Sequence, residues 1–311
     1  MNIMSSTTPK SRPAVERFSV NIKPTMGRVT HMIILNARLS APFSRWVRAN
    51  MRATVMMREP LAISEGWNCM KPKFIQRAAS LVKRHLAGEP LAYLIGEWSF
   101  CGMDLDIDEN VLIPRVDTEV LAEQAIGFVK TLQEPRVLDL CAGSGCVGLA
   151  VAKFCLGSHV VLGELMEGAL RVCRRNIRRT GLSPQVMPWQ VNALDGPPPR
   201  FGEFDCIVSN PPYIPNGDIA GLDVSVRDYE PLTALKGGGD GLDFYRAISD
   251  KWRVALHPGS RLYFEVGIGQ ADDVLRIMRA QGFGDIEVVP DTAGIPRVVY
   301  GTLHESVFDT E

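Results

Sequence analysis

The side chains with the most distinctive chemistry lie in residues 209–214, which have the sequence Ser-Asn-Pro-Pro-Tyr-Ile. The apolar run before them, residues 204–208, is typical of a buried parallel strand, and two prolines without N–H donors must end it. The side-chain oxygen of Asn210 and the carbonyl of Pro211 are then available as acceptors, and Tyr213 offers a flat aromatic face. This set suits a planar NH2 group. The alternative is a rigid turn with a packed tyrosine and no ligand.

A second candidate site is a turn between a predicted strand and a predicted helix. Residues 143–148 have the sequence Gly-Ser-Gly-Cys-Val-Gly, a G-x-G-x-x-G pattern that alone is a weak indication of dinucleotide binding. Glu164 ends the next predicted strand. There it is suited to accept hydrogen bonds from two ribose hydroxyls of either a nicotinamide cofactor or S-adenosylmethionine. A tight packing turn without a ligand is the alternative.

The position of Asp139 favours S-adenosylmethionine over a nicotinamide cofactor. Three residues separate it from Gly143, whereas a pyrophosphate-binding turn bends almost directly from strand into glycine. A carboxylate at this position would repel a pyrophosphate but suits the cationic amino-acid end of S-adenosylmethionine. Methyl transfer to nitrogen also gives residues 209–214 a role. Holding both hydrogens of a weakly nucleophilic amide or aromatic amine directs its nitrogen toward the methyl group.

Predicted strands and helices alternate over residues 111–304, which we assign to a catalytic domain. The strands are predicted at 136–140, 159–164, 185–189, 204–208, 261–266, 286–289 and 297–303. Helices are predicted between them, at 146–154, 167–179, 242–256 and 270–281. This alternation predicts an α/β fold with a doubly wound, mostly parallel sheet. The last two strands are too close for a crossover helix and should form an antiparallel edge. We assign no chemistry to the glycine-rich loop at 236–241.

Three further segments precede this domain. Residues 1–31 are basic and rich in Ser, Thr and Pro, which predicts a disordered tail, with a mitochondrial transit peptide or an upstream start site as alternatives. Residues 32–90 have a helical period, which predicts a small helical domain, and we assign partner recognition to its cationic face. In residues 91–110, alternation over 92–100 and 103–107 around a turn at Cys101 and Gly102 predicts a β-hairpin linker.

Charge and composition exclude several classes of function. The 311 residues include 34 Lys and Arg and 35 Asp and Glu, for a net charge of -1, which gives no overall attraction to nucleic acid or anionic lipid. No apolar run approaches the length of a spanning helix. The seven cysteines contain no Cys-x-x-Cys pair and the five histidines are scattered. We therefore expect no direct nucleic-acid binding, no membrane association, no metal site and a cytoplasmic protein with reduced thiols.

Five motifs in this chain occur in the order found in one known family. They are Glu-Pro-Leu-Ala-Tyr at 89–93, Leu-Ile-Pro-Arg at 112–115 followed by Asp-Thr-Glu at 117–119, the turn at 138–145, Asn-Pro-Pro-Tyr at 210–213, and Tyr-Glu-Pro-Leu-Thr-Ala-Leu at 229–235. Together they resemble the HemK or PrmC family of protein-(glutamine-N5) methyltransferases, which modify peptide chain release factors. The resemblance covers about residues 74–303.

This resemblance implies a class I methyltransferase fold with a seven-stranded sheet behind a small helical domain. The implied cofactor is S-adenosylmethionine. The implied substrate is the glutamine of a Gly-Gly-Gln loop in a class 1 release factor. Five residues would line the methionine end of the cofactor: Cys141, Ala142, Gly143, Ser144 and Gly145.

The resemblance also implies roles for the remaining site residues. Glu164 would hold the ribose, and Asn192 would contact the adenine where the family usually has an acid followed by an aromatic residue. Asn210 would touch both substrates. Pro211, Pro212 and Tyr213 would frame the glutamine amide.

Other functions stay open at this point. A sister enzyme that methylates a ribosomal protein shares the Asn-Pro-Pro-Tyr segment and the cysteine of the turn, although residues 117–119 and 230–235 resemble the release-factor branch more. Adenine N6 methylation of nucleic acid, a nicotinamide oxidoreductase and a non-catalytic cofactor-binding partner of the ribosome are further alternatives.

Overall fold

The computed structural model describes residues 72–305. The predicted tail at 1–31 and most of the predicted helical domain at 32–90 lie outside the described residues, so the domain boundaries stay predictions. The described part contains eight α-helices. In chain order they are α1 (Pro72–Leu86), α2 (Leu91–Ile95), α3 (Thr118–Val129), α4 (Cys146–Phe154), α5 (Glu167–Thr180), α6 (Val224–Arg227), α7 (Asp243–Lys251) and α8 (Ala271–Ala280).

The strands form a two-stranded hairpin and a seven-stranded sheet. In chain order they are β1 (Glu97–Phe100), β2 (Met103–Asp106), β3 (Arg136–Leu140), β4 (His159–Glu164), β5 (Val186–Gln190), β6 (Phe204–Ser209), β7 (Leu256–Glu265), β8 (Phe283–Pro290) and β9 (Pro296–Leu303). The order in the sheet is β5-β4-β3-β6-β7-β9-β8. Strands β3 to β7 run parallel, and β9 pairs antiparallel with both β7 and β8. The predicted α/β sheet with an antiparallel edge is confirmed.

Alternating side chains of the central strands enter two hydrophobic layers, one on each face of the sheet. Val137 packs with the helices α3, α4 and α5, whereas its neighbour Leu138 packs on the opposite face with α7 and α8. In the same way Ile207 and Val208 of β6 enter different layers. Because both faces are covered, consecutive residues of these strands are apolar instead of every second one, which is why short apolar runs identified them in the sequence.

The chain order of the strands creates a switch point between β3 and β6. From β3 the chain moves outward to β4 and β5, and it then returns to place β6 against the other side of β3. The loops that follow β3 and β6 therefore leave the sheet in opposite directions and open a crevice at its carboxyl edge, where ligands bind in such folds. Both motifs identified in the sequence follow these two strands.

The hairpin is shorter than the sequence suggested. Residues 92–95 were predicted as strand but belong to helix α2, which follows Pro90 and ends at Gly96 in the left-handed conformation, with φ 81°. A proline before the first turn and a left-handed glycine after the last are ordinary helix boundaries, and they outweigh the alternating pattern. The turn at Cys101 and Gly102 is confirmed.

The hairpin is also part of the main body. Phe100 and Leu105 are buried in the same hydrophobic layer as α3 and α5. Asn176 of α5 accepts a hydrogen bond from the backbone N–H of Asp106 at 2.6 Å and donates one to its carbonyl at 3.1 Å.

The helix predicted at 242–256 ends earlier, at Lys251. Trp252 is fully buried and donates its indole N–H to the carbonyl of Ala193 at 2.8 Å, and β7 begins at Leu256. None of the helices between residues 72 and 305 combines the length and the apolar content needed to cross a bilayer.

Candidate active site

A cleft lies at the carboxyl edge of β3, β4 and β6. The strand register explains the position of this cleft. Leu140 pairs with both Gly163 and Ser209, so the residues that follow β3 and β6 are neighbours. Nine residues singled out in the sequence line the cleft: Asp139, Cys141, Ala142, Gly143, Ser144, Glu164, Asn192, Asn210 and Pro212. Gly145, Pro211 and Tyr213 lie directly beside lining residues in the chain.

The turn after β3 adopts a left-handed backbone at three positions. Cys141, Gly143 and Gly145 have φ of 60°, 56° and 80°. A non-glycine residue in this region is strained, and Cys141 is the one that bears this cost. At Gly145 an added Cβ would lie 2.7 Å from Leu162, so this glycine is also required by packing.

Glu164 fixes the shape of this turn from the next strand. Its Oε2 accepts the backbone N–H of Gly143 at 2.9 Å, and its Oε1 accepts the N–H of Met166 at 2.9 Å. The carboxylate is 9% exposed and lines the cleft. Two backbone donors therefore hold it rigidly, and each oxygen keeps a lone pair for a ligand hydroxyl.

Asp139 is buried below the turn, with 2% of its surface exposed. One oxygen accepts the backbone N–H of Gly148 at 2.8 Å. Burial raises the pKa of Asp139 to about 7, the Gly148 hydrogen bond acts against this increase, and the charge of Glu164 adds to it. An added Cβ at Gly148 would lie 2.4 Å from Leu162, so the last glycine of the G-x-G-x-x-G pattern allows helix and strand to pack closely.

Asn192 lines the cleft, but its side chain is engaged in a local turn. Its Oδ1 accepts the N–H of Leu194 at 3.1 Å, and its Nδ2 donates to Asp195 at 3.0 Å. The adenine-contacting role that the family resemblance implies for Asn192 stays a prediction.

The Asn-Pro-Pro-Tyr segment begins where β6 ends. Ser209 donates its hydroxyl to the carbonyl of Leu140 at 2.8 Å, which joins β6 to the start of the cofactor turn. Within residues 72–305, no donor bonds to the Oδ1 of Asn210 or to the carbonyl of Pro211. Both acceptors predicted from the sequence are therefore free for a ligand.

The glycine-rich loop at 236–241 supports this segment. Ile214 donates its N–H to Leu235 at 3.0 Å and accepts the N–H of Gly237 at 2.8 Å. An added Cβ at Gly237 would lie 2.7 Å from the Cα of Tyr213, so only glycine allows this approach. Gln270 donates to the carbonyl of Tyr213 at 3.0 Å. The loop to which the sequence assigned no chemistry thus fixes the position of the tyrosine.

Two residues beside Asn210 were missed as site residues. Asn210 donates its Nδ2 to the hydroxyl of Thr118 at 3.3 Å, and the buried carboxylate of Glu265 lies next to both. The sequence did contain a signal for Glu265, because an acid that ends an apolar strand next to β6 must lie at the carboxyl edge of the sheet. In the sequence Thr118 was visible only as part of the Asp-Thr-Glu motif at 117–119, which by itself indicates no contact with Asn210.

The last motif of the chain closes the site from the side. The carboxylate of Glu230 is buried, forms an ion pair with Arg115 and accepts the N–H of Ile113 at 3.2 Å. Pro231, Thr233 and neighbouring residues line the cleft. Two segments that are far apart in the sequence, 112–115 and 229–235, are therefore joined at the cleft wall.

This fold and the two motifs at its switch point define a class I S-adenosylmethionine-dependent methyltransferase. The profile of the Methyltransferase small domain family matches residues 99–223. The hMettl16 catalytic domain, solved in complex with MAT2A 3'UTR hairpin 1, superimposes with a TM-score of 0.50. This superposition covers 76% of this chain and 82% of that one at 16% identity, and it supports the fold alone.

Curated relatives define the family. The release factor glutamine methyltransferase of Geobacter sulfurreducens is 42% identical over 75% of this chain and 80% of its own. That of Thermodesulfovibrio yellowstonii is 33% identical over 93% of this chain and 95% of its own. The chain belongs to the release factor glutamine methyltransferase family, and its methyl donor is S-adenosylmethionine. The predicted family, fold class and cofactor are confirmed, and the oxidoreductase and non-catalytic alternatives are removed.

Proposed function

We propose that this protein methylates the side-chain nitrogen N5 of the glutamine in the Gly-Gly-Gln motif of a class 1 peptide chain release factor. One observation carries the proposal: Asn210 and Pro212 line the same cleft as Gly143 and Glu164. An acceptor amide held by the Asn-Pro-Pro-Tyr segment would therefore lie beside a methyl donor held by the turn. Membership of the family agrees with this substrate.

The residues of the cleft fit S-adenosylmethionine. The rigid carboxylate of Glu164 suits the two ribose hydroxyls, and the buried carboxylate of Asp139 suits the cationic methionine end. The hydroxyl of Ser144 is buried in the turn without a partner among the described residues, so it is available to a ligand. Residues 141–145 would surround the methionine end, and Asn192 would lie on the adenine side.

When bound, S-adenosylmethionine supplies an electrophilic methyl group whose bonding electron pair returns to sulfur on transfer. The protein's task is to present the glutamine nitrogen, which is a poor nucleophile. The Oδ1 of Asn210 and the carbonyl of Pro211 accept the two amide hydrogens, which directs the nitrogen toward the methyl group and increases its electron density. Pro212 and Tyr213 would frame the amide plane, and the nitrogen would release one of its two protons to solvent water on methylation.

The proposal includes the partner and the location of the protein. We propose a release factor rather than a ribosomal protein because residues 117–119 and 230–235 resemble the release-factor branch, and Thr118, Pro231, Thr233 and Ala234 line the cleft. The net charge of -1 argues against a nucleic-acid substrate. A cytoplasmic location agrees with a substrate that works in translation.

The test is a competition between acceptors. The protein is incubated with radiolabelled S-adenosylmethionine and a release factor, ribosomal protein, DNA or RNA, and the initial rate of label transfer is compared. A release factor whose motif is Gly-Gly-Asn serves as the matched control, since its amide is one methylene shorter. We expect label on the Gly-Gly-Gln protein and a loss on the order of 100-fold with Gly-Gly-Asn. Label on nucleic acid or ribosomal protein alone would refute the proposal.

A further inference from the structure

Glu265 lies next to the acceptor segment, in a position that the proposed reaction does not yet use. It ends β7, and because Ser209 pairs with Phe264, residues 210 and 265 are neighbours at the carboxyl edge of the sheet. Its side chain is 2% exposed. A carboxylate in this position is costly unless other groups compensate its burial.

The groups around Glu265 offset only part of the cost of burying its charge. Burial raises the pKa of Glu265 to about 7, and side-chain hydrogen bonds from Thr118 and Asn210 and the charge of Arg297 act against the increase, whereas Asp117 adds to it. Arg297 makes its own ion pair elsewhere, with Asp291 at 3.2 Å. The Oε2 of Glu265 has no partner among residues 72–305. Fold stability alone therefore gives no reason for an acid here.

The direction of each hydrogen bond in this group follows from its chemistry. In its ionised form the Glu265 carboxylate only accepts, so the neighbouring Thr118 stabilises that form by directing its single hydroxyl proton toward it. The hydroxyl oxygen can then only accept from Asn210, whose Nδ2 lies 3.3 Å away. The side chain of Asn210 also lies close enough to Glu265 to stabilise the charged form of its carboxyl group. Both neighbours therefore favour the NH2 of Asn210, and not its oxygen, on this side.

We propose that Glu265 and Thr118 are positioning residues that fix the rotation of the Asn210 amide, so that its Oδ1 faces the cleft. This inference rests on the proposed function. If the Asn210 amide were rotated by 180°, its NH2 would face the NH2 of the substrate. Two hydrogen-bond donors would then repel each other where the Oδ1 of Asn210 would otherwise accept a substrate hydrogen. The substrate amide would then lose one of its two hydrogen-bond acceptors, and the glutamine nitrogen would lose its orientation.

The test separates orientation from binding and from folding. Glu265→Met removes the acceptor at similar volume, and Glu265→Gln keeps one acceptor oxygen. Thr118→Val removes the hydroxyl, and Thr118→Ser keeps it. Glu123→Met, an exposed position on α3, is the matched control. For each variant, kcat with the release factor is measured by methyl transfer, the Kd for S-adenosylmethionine by calorimetry, and the melting temperature by circular dichroism.

We expect Glu265→Met and Thr118→Val to lower kcat on the order of 10- to 100-fold, with Kd changed less than about threefold and the melting temperature retained. Glu265→Gln and Thr118→Ser should recover most of kcat. Unchanged kcat in Glu265→Met, or an equal loss in the variants that keep the acceptor or hydroxyl, would overturn the positioning role. A wild-type protein and Glu123→Met variant that both fail to methylate the release factor would instead refute the proposed function, and with it this inference.

Discussion

Glu164→Ala should weaken the binding of S-adenosylmethionine far more than it changes turnover. If the carboxylate accepts both ribose hydroxyls, the variant loses two hydrogen bonds to a charged group, each worth about 1.5 kcal/mol. Together they amount to about 3 kcal/mol, which is a loss of affinity on the order of 100-fold. The variant also frees the N–H groups of Gly143 and Met166, which Glu164 now holds at 2.9 Å each. An unpaired buried group costs about 1–3 kcal/mol, so the turn loosens as well.

The assay must therefore follow binding and folding together. Calorimetric titration gives the Kd, and thermal unfolding of the same sample without cofactor shows how much of the protein is folded. Glu167→Ala, three residues further on, is the matched control because its exposed carboxylate pairs with Arg174 on the helix surface. We expect wild-type affinity in this control. A folded Glu164→Ala variant with unchanged affinity would refute the ribose role.

Three further predictions concern other parts of the site. Asn210→Ala should lower kcat on the order of 100-fold and change the Kd of the cofactor only slightly; equal losses measured by methyl transfer and calorimetry would mean that Asn210 only holds cofactor.

The pKa of Asp139 is raised to about 7, so its carboxylate ionises as the pH increases through about 7. The affinity for the cationic cofactor should therefore increase over the same pH range, as measured by calorimetry. Asp139→Asn should abolish this increase in affinity. The same shift makes the Asp139 contribution to the unfolding free energy fall as pH increases from about 4 to about 7, which urea titrations can follow.

Cys141→Gly should be more stable than Cys141→Ala by about 1 kcal/mol in urea unfolding, because φ at this position is 60° and only glycine adopts this value without strain. At most positions the alanine variant is the more stable one. A more stable Cys141→Ala variant would therefore contradict the proposed strain.

The sequence predicted those parts of the fold that depend on local pattern. Strands β3, β4 and β6 are buried on both faces, so their apolar runs were unambiguous, and the glycines of the turn had a recognisable spacing. The start of the hairpin was wrong because alternation over residues 92–100 competes with a helix boundary at Gly96. The backbone conformation at Gly96 decides between strand and helix for residues 92–95, and the pattern of side chains does not specify that conformation.

The site was predicted where its residues follow one another in the chain. Asn210, Pro211 and Tyr213 form one segment, so their shared chemistry was visible. Thr118 lies 92 residues from Asn210 in sequence and meets it only because α3 begins at the carboxyl edge of the sheet. Likewise Gly237 is required because it packs against the backbone of Tyr213. These contacts depend on the order of strands and on loop paths, which local motifs do not encode.

The most direct test of the proposed function is tandem mass spectrometry of a class 1 release factor after incubation with this protein and S-adenosylmethionine. We expect one added methyl group on the side-chain nitrogen of the glutamine in the Gly-Gly-Gln motif, and strongly reduced modification with the Asn210→Ala variant. A methyl group at another residue of the release factor, or an unmodified release factor together with a methylated ribosomal protein or nucleic acid, would contradict it.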